Sequence, residues 1–146
     1  MNKINFENLP STNTPINATN MNLLQDNVED GINDIKAQVL YYDNTASYLS
    51  ATLTDDITNY DIITVIGEST DNHQCSTTIY KPSIGSKVSL FAGKIASNTV
   101  IYNKQAVYEF NSANTIQSVE NHQLQNNTRI ESGNFIKLKA VLGYKS

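Results

Sequence analysis

Tryptophan is absent from this 146-residue chain, cysteine occurs once, proline three times, and charged side chains make up only 16%. Each shortage excludes something. A lone cysteine, Cys75, rules out an intramolecular disulfide, and its strand-like setting "NHQCSTTIY" predicts a buried structural thiol. The ten basic residues are scattered, Arg129 is the one arginine, and the net charge is −4. A duplex-binding surface needs a clustered positive footprint, so no nucleic-acid partner is expected. No apolar run approaches the roughly 20 residues that span a bilayer, so no membrane insertion is expected. The first residues carry no basic segment followed by an apolar one, so no secretory signal is expected. The triplets at Asn17 and Asn126 that fit a glycosylation acceptor then read as chance in an Asn- and Thr-rich chain.

Catalytic patterns are also missing. His73 and His122 sit in Asn- and Gln-rich stretches without ligand spacing to a second His, Cys or carboxylate, and both are expected as solvated loop residues. No G-x-S-x-G, phosphate-binding loop or G-x-G-x-x-G occurs. Asp26, Glu29, Asp30 and Asp34 fall on the polar face of a helical pattern, and Asp55 and Asp56 fall in a turn. No enzyme, cofactor or metal is expected.

What the chain has is Asn, Thr, Ser and Gln, with 39% hydrophobic residues and eight tyrosines. That mixture favours strands and turns over a helical bundle. Three segments follow. Residues 1–17 are an extended arm with two prolines, in which Ile4, Phe6 and Leu9 are the groups available to dock on something else. Residues 18–39 form one amphipathic helix, because Met21, Leu24, Val28, Ile32, Ile35 and Val39 recur at helical spacing. Such a helix is marginal alone, and Gly31 weakens it by about 1 kcal/mol, so the stripe needs a partner surface. Ile and Val on the seam, with no buried Asn or Lys, lean towards three chains over two.

Residues 40–146 read as short strands separated by turns, a β-sandwich or jelly-roll-like domain. "IITVIG" is apolar on both faces, as a central strand is. "TVIYNKQAVYEF" reads as two short strands with a hairpin at Asn103 and Lys104, "NHQLQNNT" as a loop, and "FIKLKAVLGY" as a last strand with Ile136, Leu138, Ala140 and Leu142 on one face. Most tyrosines are ordinary strand packing. A few at loop edges, such as Tyr102 beside Asn103 and Lys104, are placed to stack on a sugar ring or a partner residue.

The segment Thr14, Pro15, Ile16, Asn17, Ala18, Thr19, Asn20, Met21, Asn22 resembles a lead-in found in tail-fibre, baseplate and minor structural proteins of phages of Gram-positive bacteria. There a T-P-[IL]-N-A-x-N-[LM]-N string runs into a short helix with an acidic face and then a small β domain. "VLYYDNTAS", "DDITNYDIITVIG" and the terminal "FIKLKAVLGYK" are similar to that domain. The resemblance implies a virion protein, a homotrimer with a helical stem and a β knob. Its arm would hold other virion proteins, and its knob would face a host cell-wall saccharide, a host surface protein or a neighbour in the particle. A capsid decoration or tail connector without receptor binding is the second reading, and a cellular carbohydrate-binding module the third.

Overall fold

The computed structural model describes residues 18–145, with the backbone alone at residues 18, 20, 33–35 and 44–47. The chain divides into two compact units, Met1–Lys36 and Ala37–Ser146. In the first, α1 spans Ala18–Ile35. The expected start at residue 18 borders the residues outside the described range. The helix end falls short of the expected one, because Val39 belongs to a strand. The strand β1, Gln38–Ser47, pairs Val39 with Leu142 and draws the chain out of helical geometry.

The second unit is mainly β, with nine strands among the described residues, all paired antiparallel. After β1 come β2 (Ser50–Thr52), a 3-10 turn at Ile57–Asn59, β3 (Ile62–Ser69), β4 (Gln74–Tyr80), β5 (Lys87–Ser97), β6 (Val100–Ser112), β7 (Thr115–Gln125), β8 (Thr128–Ser132) and β9 (Ile136–Tyr144). One sheet has the order β1-β9-β3-β4. The other has the order β2-β7-β6-β5, and β8 also pairs with β7. From β5 to β8 the second sheet is a meander of consecutive hairpins. After this meander the chain returns to the first sheet through the β8–β9 connection.

Both sheets turn one face into a single core. Leu40, Ile63, Val65, Ile136, Leu138 and Val141 come from the first sheet, and Val88, Leu90, Ala106, Tyr108, Phe110 and Ile116 from the second. Two polar groups tie the faces together. The Tyr108 hydroxyl donates to the Ile136 carbonyl at 2.9 Å, and Asn121 Nδ2 donates to the same oxygen at 2.8 Å. Asn121 Oδ1 also accepts from the amides of Phe135 and Ile136, so one side chain fixes the strand that crosses between sheets.

The expected central strand is central, lying between β9 and β4, but it alternates, with Ile63, Val65 and Ser69 buried and their neighbours half-exposed. The last strand alternates as expected only as far as Leu138. Ile66 pairs with Ala140, yet Gly67 pairs with Leu138, which leaves Lys139 as an extra residue in β9. This bulge reverses the phase, so Val141 and Gly143 face inward, and Leu142, expected inside, faces out. The "TVIYNKQAVYEF" segment is one continuous strand, with no hairpin at Asn103 and Lys104. The "NHQLQNNT" stretch is the end of β7 followed by a tight turn. Asn126 and Asn127, at φ 48° and 67°, supply the left-handed pair that a two-residue hairpin requires.

Candidate functional site

α1 exposes large apolar side chains on the expected stripe and also off it, at Leu23. Leu24, Val28 and Ile32 are 57%, 49% and 37% exposed, and Met21 is half-buried. Ile35 closes the helix, and its side chain lies outside what is described. Val39, 58% exposed, lies on the outer face of the first sheet, so it is not part of the helical stripe. Ile4, Phe6 and Leu9 lie outside the described residues.

The expected trio on β6 separates by strand parity. Lys104, Ala106, Tyr108 and Phe110 form the buried face of β6, so Asn103 points to the opposite side from Tyr102 and Lys104. Lys104 is itself committed. Its ammonium lies 2.5 Å from Asp71 Oδ2 and 2.5 Å from Thr70 Oγ1, at the β3–β4 turn, with the Phe135 ring centroid at 5.9 Å. Lys94 approaches the other Asp71 oxygen at 3.9 Å. The Lys104 hydrogen bond, helped by the nearby positive charges, holds the Asp71 carboxyl below its ordinary range against the cost of its burial. The turn is locked further by the Ser69 hydroxyl, which accepts from the amides of Asp71 and His73. His73 Nδ1 lies 3.1 Å from the Gly93 carbonyl of β5.

Past this ion pair the second sheet continues beyond its cover. On β5 the inward positions Val88, Leu90 and Ala92 are buried, whereas every residue from Gly93 to Ser97 is exposed. All of β8 is exposed too. The ladder aligns Lys94, Tyr102, Gln125 and Thr128 in one row across four strands, on the same face as the core. The row nearer the core is Ala92, Lys104, Gln123 and Glu131. The opposite face of the same strands carries Phe91, Ile95 and Ile101, which are 58%, 78% and 46% exposed. Ile95 and Ile101 are direct cross-strand partners.

Asp71, Lys94, Gln123 and Gln125 are missing from the sequence expectation. A signal for Lys94 was available. "GKIASNTVIYNK" carries a turn at Asn98–Thr99 with an alternating arm on each side, which reads as a hairpin once "TVIYNKQAVYEF" is taken as one strand. Asp71 gave no such signal, because its partner Lys104 is 33 residues away.

His122 departs from the expected solvated loop. It sits in β7, 6% exposed, and its Nδ1 has no hydrogen-bond partner. His73 is exposed in a turn as expected. Cys75 is half-buried, packs against the core from β4, and burial pushes its thiol upward. At the other end of the unit, Tyr60 donates to Asp55 Oδ2 at 2.8 Å, and Asp55 also accepts from Asn59 Nδ2 and the Asp56 amide. Among the described residues, no group of three or more His, Cys, Asp or Glu side chains is placed to hold a metal ion. No described helix is long and apolar enough to cross a membrane. Compared with known proteins, the chain matches no family model, no curated protein and no solved structure.

Proposed function

We propose that this chain is a structural protein of a bacteriophage virion that assembles as a homotrimer through α1 and presents its β-sandwich to the host surface. The observation that carries the reading is the exposed stripe of Leu24, Val28 and Ile32, three large apolar side chains at spacings of four on a single helix. An isolated 18-residue helix gains little from propensity alone, so this stripe is stable only when covered. Self-association of three stripes covers them all and leaves the acidic face in water. The resemblance of Thr14–Asn22 to phage structural proteins supports the virion setting and rests on those residues alone.

Sedimentation equilibrium and light scattering of the full chain at micromolar concentration test the assembly. The expected mass is three times 16.2 kDa. A monomer overturns the stem. Val28→Asp is expected to dissociate the trimer, since a carboxylate on the seam has no partner and its burial costs several kcal/mol. An unchanged trimer in that variant would transfer the association to the β unit. Host attachment is tested by adsorption competition, in which purified protein slows phage attachment to cells. Protein that neither binds cells nor slows attachment favours the capsid-decoration or connector reading over the receptor-binding one.

A further inference from the structure

We infer that the outer face of the first sheet, at the end where β1 begins, is a self-association surface that packs against the same face of two further copies of this chain. The first reason is how apolar groups are distributed along that face. Three successive outward rows run from Ile62–Tyr80 through Val39–Leu142 to Tyr42–Ile66, and no charged side chain lies in them. Val39, Tyr42 and Tyr80 are 58%, 64% and 75% exposed. The Thr64 and Thr78 hydroxyls in the middle row share a hydrogen bond at 3.0 Å, which leaves their methyl groups to the surface. Solvation alone does not account for the pattern, because both sheets carry charge elsewhere on their outer faces. The next outward row of the same sheet sets Lys137 3.0 Å from Glu68. The outer face of the second sheet carries Lys87, Glu109 and Glu120.

The second reason is position, and it names the occupant. The uncharged rows lie at the end of the sheet where the chain arrives from α1, and the charged row lies further along the strands. Lys36 and Ala37 alone separate α1 from β1, a span of at most about 11 Å. Three chains joined along the α1 stripe therefore bring three copies of this sheet end together, whatever angle the link adopts.

The third reason is area. A stable interface takes about 600 to 1,000 Å² from each partner. The exposed parts of Leu24, Val28 and Ile32 amount to about 200 Å², which falls well short. Tyr42 and Tyr80 offer about 300 Å², and Val39 with half-exposed Ile62, Ile66 and Leu142 raises the face to about 500 Å². Stripe and face reach the required size together, and neither reaches it alone. The inference rests on the trimer reading for its copy number, and the test separates the two.

The full chain and three variants are compared by sedimentation equilibrium over a dilution series. Tyr42→Glu sets a carboxylate in the face and should raise the concentration of half-dissociation at least tenfold. Ile95→Lys, on the outer face of the second sheet, should leave it unchanged. Val28→Asp breaks the α1 seam and yields the monomer for a second readout. Nitration by tetranitromethane, located by mass spectrometry, should modify Tyr42 and Tyr80 in the monomer and spare them in the trimer. Unchanged far-ultraviolet circular dichroism separates lost association from lost folding, and nitration of the unaltered chain keeps the test valid if Tyr42→Glu fails to fold. A trimer that Tyr42→Glu leaves intact, or in which both tyrosines react as they do in the monomer, overturns the inference and leaves the stem standing. So does a trimer that Ile95→Lys dissociates, or a monomer in which both tyrosines are already spared, since the face is then covered within one chain. A trimer that survives Val28→Asp and is lost in Tyr42→Glu supports the face and overturns the stem. An unaltered chain that is monomeric overturns both.

Discussion

Tyr60 lays its ring where Gly143 has no side chain. A Cβ built on Gly143 would sit 2.5 Å from Tyr60 Cδ1, well inside contact distance, while the phenol oxygen is held by Asp55. The ring is trapped between a backbone it touches and a carboxylate it donates to, so it cannot retreat without losing the hydrogen bond. Gly143→Ala should therefore destabilise the protein by about 2 kcal/mol, an overpacking cost, and lower the melting temperature by several degrees. An unchanged melting curve would mean that the ring has room to move. A second residue-level dependency is the Lys104–Asp71 pair. Lys104 is buried, with only 7% of its side chain exposed, whereas 31% of the Asp71 side chain still reaches water. Removing the anion strands the cation, so Asp71→Ala should cost about 2 kcal/mol, less than for a fully buried pair because Asp71 is partly solvated. The double variant Asp71→Ala with Lys104→Met removes both charges and should recover part of that loss. A double variant that melts no higher than the single one would show that the turn depends on the Asp71 backbone contacts and not on the ion pair.

Single residues decide how far each element could be read from the sequence. That α1 is a helix is legible because its apolar residues repeat at 3.6-residue spacing. Its end is not, because Val39 continues the helical period while its backbone pairs with Leu142, which lies 103 positions away. In β6 a polar pair inside an apolar run, Asn103 and Lys104, signals a turn that the continuous strand does not make. The ion pair with Asp71 that makes a buried Lys104 tolerable is invisible in local sequence. The same limit hid β9. Its period of two runs unbroken from Ile136 to Leu142 on paper, and only pairing with β3 reveals the extra residue at Lys139. That bulge makes a direct prediction. Deleting Lys139 gives a regular strand that still turns Ile136, Leu138, Val141 and Gly143 inward, so the protein should fold and melt cooperatively. Deleting Leu142 instead keeps the bulge and turns Gly143 out, and drives Tyr144 towards the Tyr60 ring. Loss of cooperative melting in the second variant but not in the first is the expected result. Equal tolerance of both deletions would show that register in β9 is set by its edges and not by its inward face.

At the scale of the whole molecule, stability should be bounded by ionisation on both sides. Asp55 is held below its ordinary range chiefly by the Tyr60 hydrogen bond, Glu68 by Lys137, and Asp71 by Lys104. For each of these carboxylates the folded form binds its proton less readily than the unfolded chain. Their contribution is present above the unfolded value, about 4, and is lost as pH falls through the lower folded values. The alkaline limb has the opposite sign. Burial, reinforced by Asp43 and Asp55 respectively, pushes Tyr41 and Tyr60 up to about 12. An unfolded tyrosine ionises at about 10, so stability falls progressively between about pH 10 and about pH 12 as the unfolded chain deprotonates first. The three carboxylates sit in separate parts of the β unit: the Tyr60 corner, the outer face of the first sheet and the β3–β4 turn. Their acid effects should then add, since they share no partner. Melting temperature against pH should show a plateau, an acid limb below about pH 4 and an alkaline limb above about pH 10. The Asp71→Ala, Lys104→Met double variant, which keeps two of the three carboxylates, should flatten the acid limb by a fraction and leave the alkaline limb in place. An acid limb identical in that variant would show that Asp71 titrates alike in the folded and unfolded chain, and that the Lys104 pair contributes nothing to acid sensitivity.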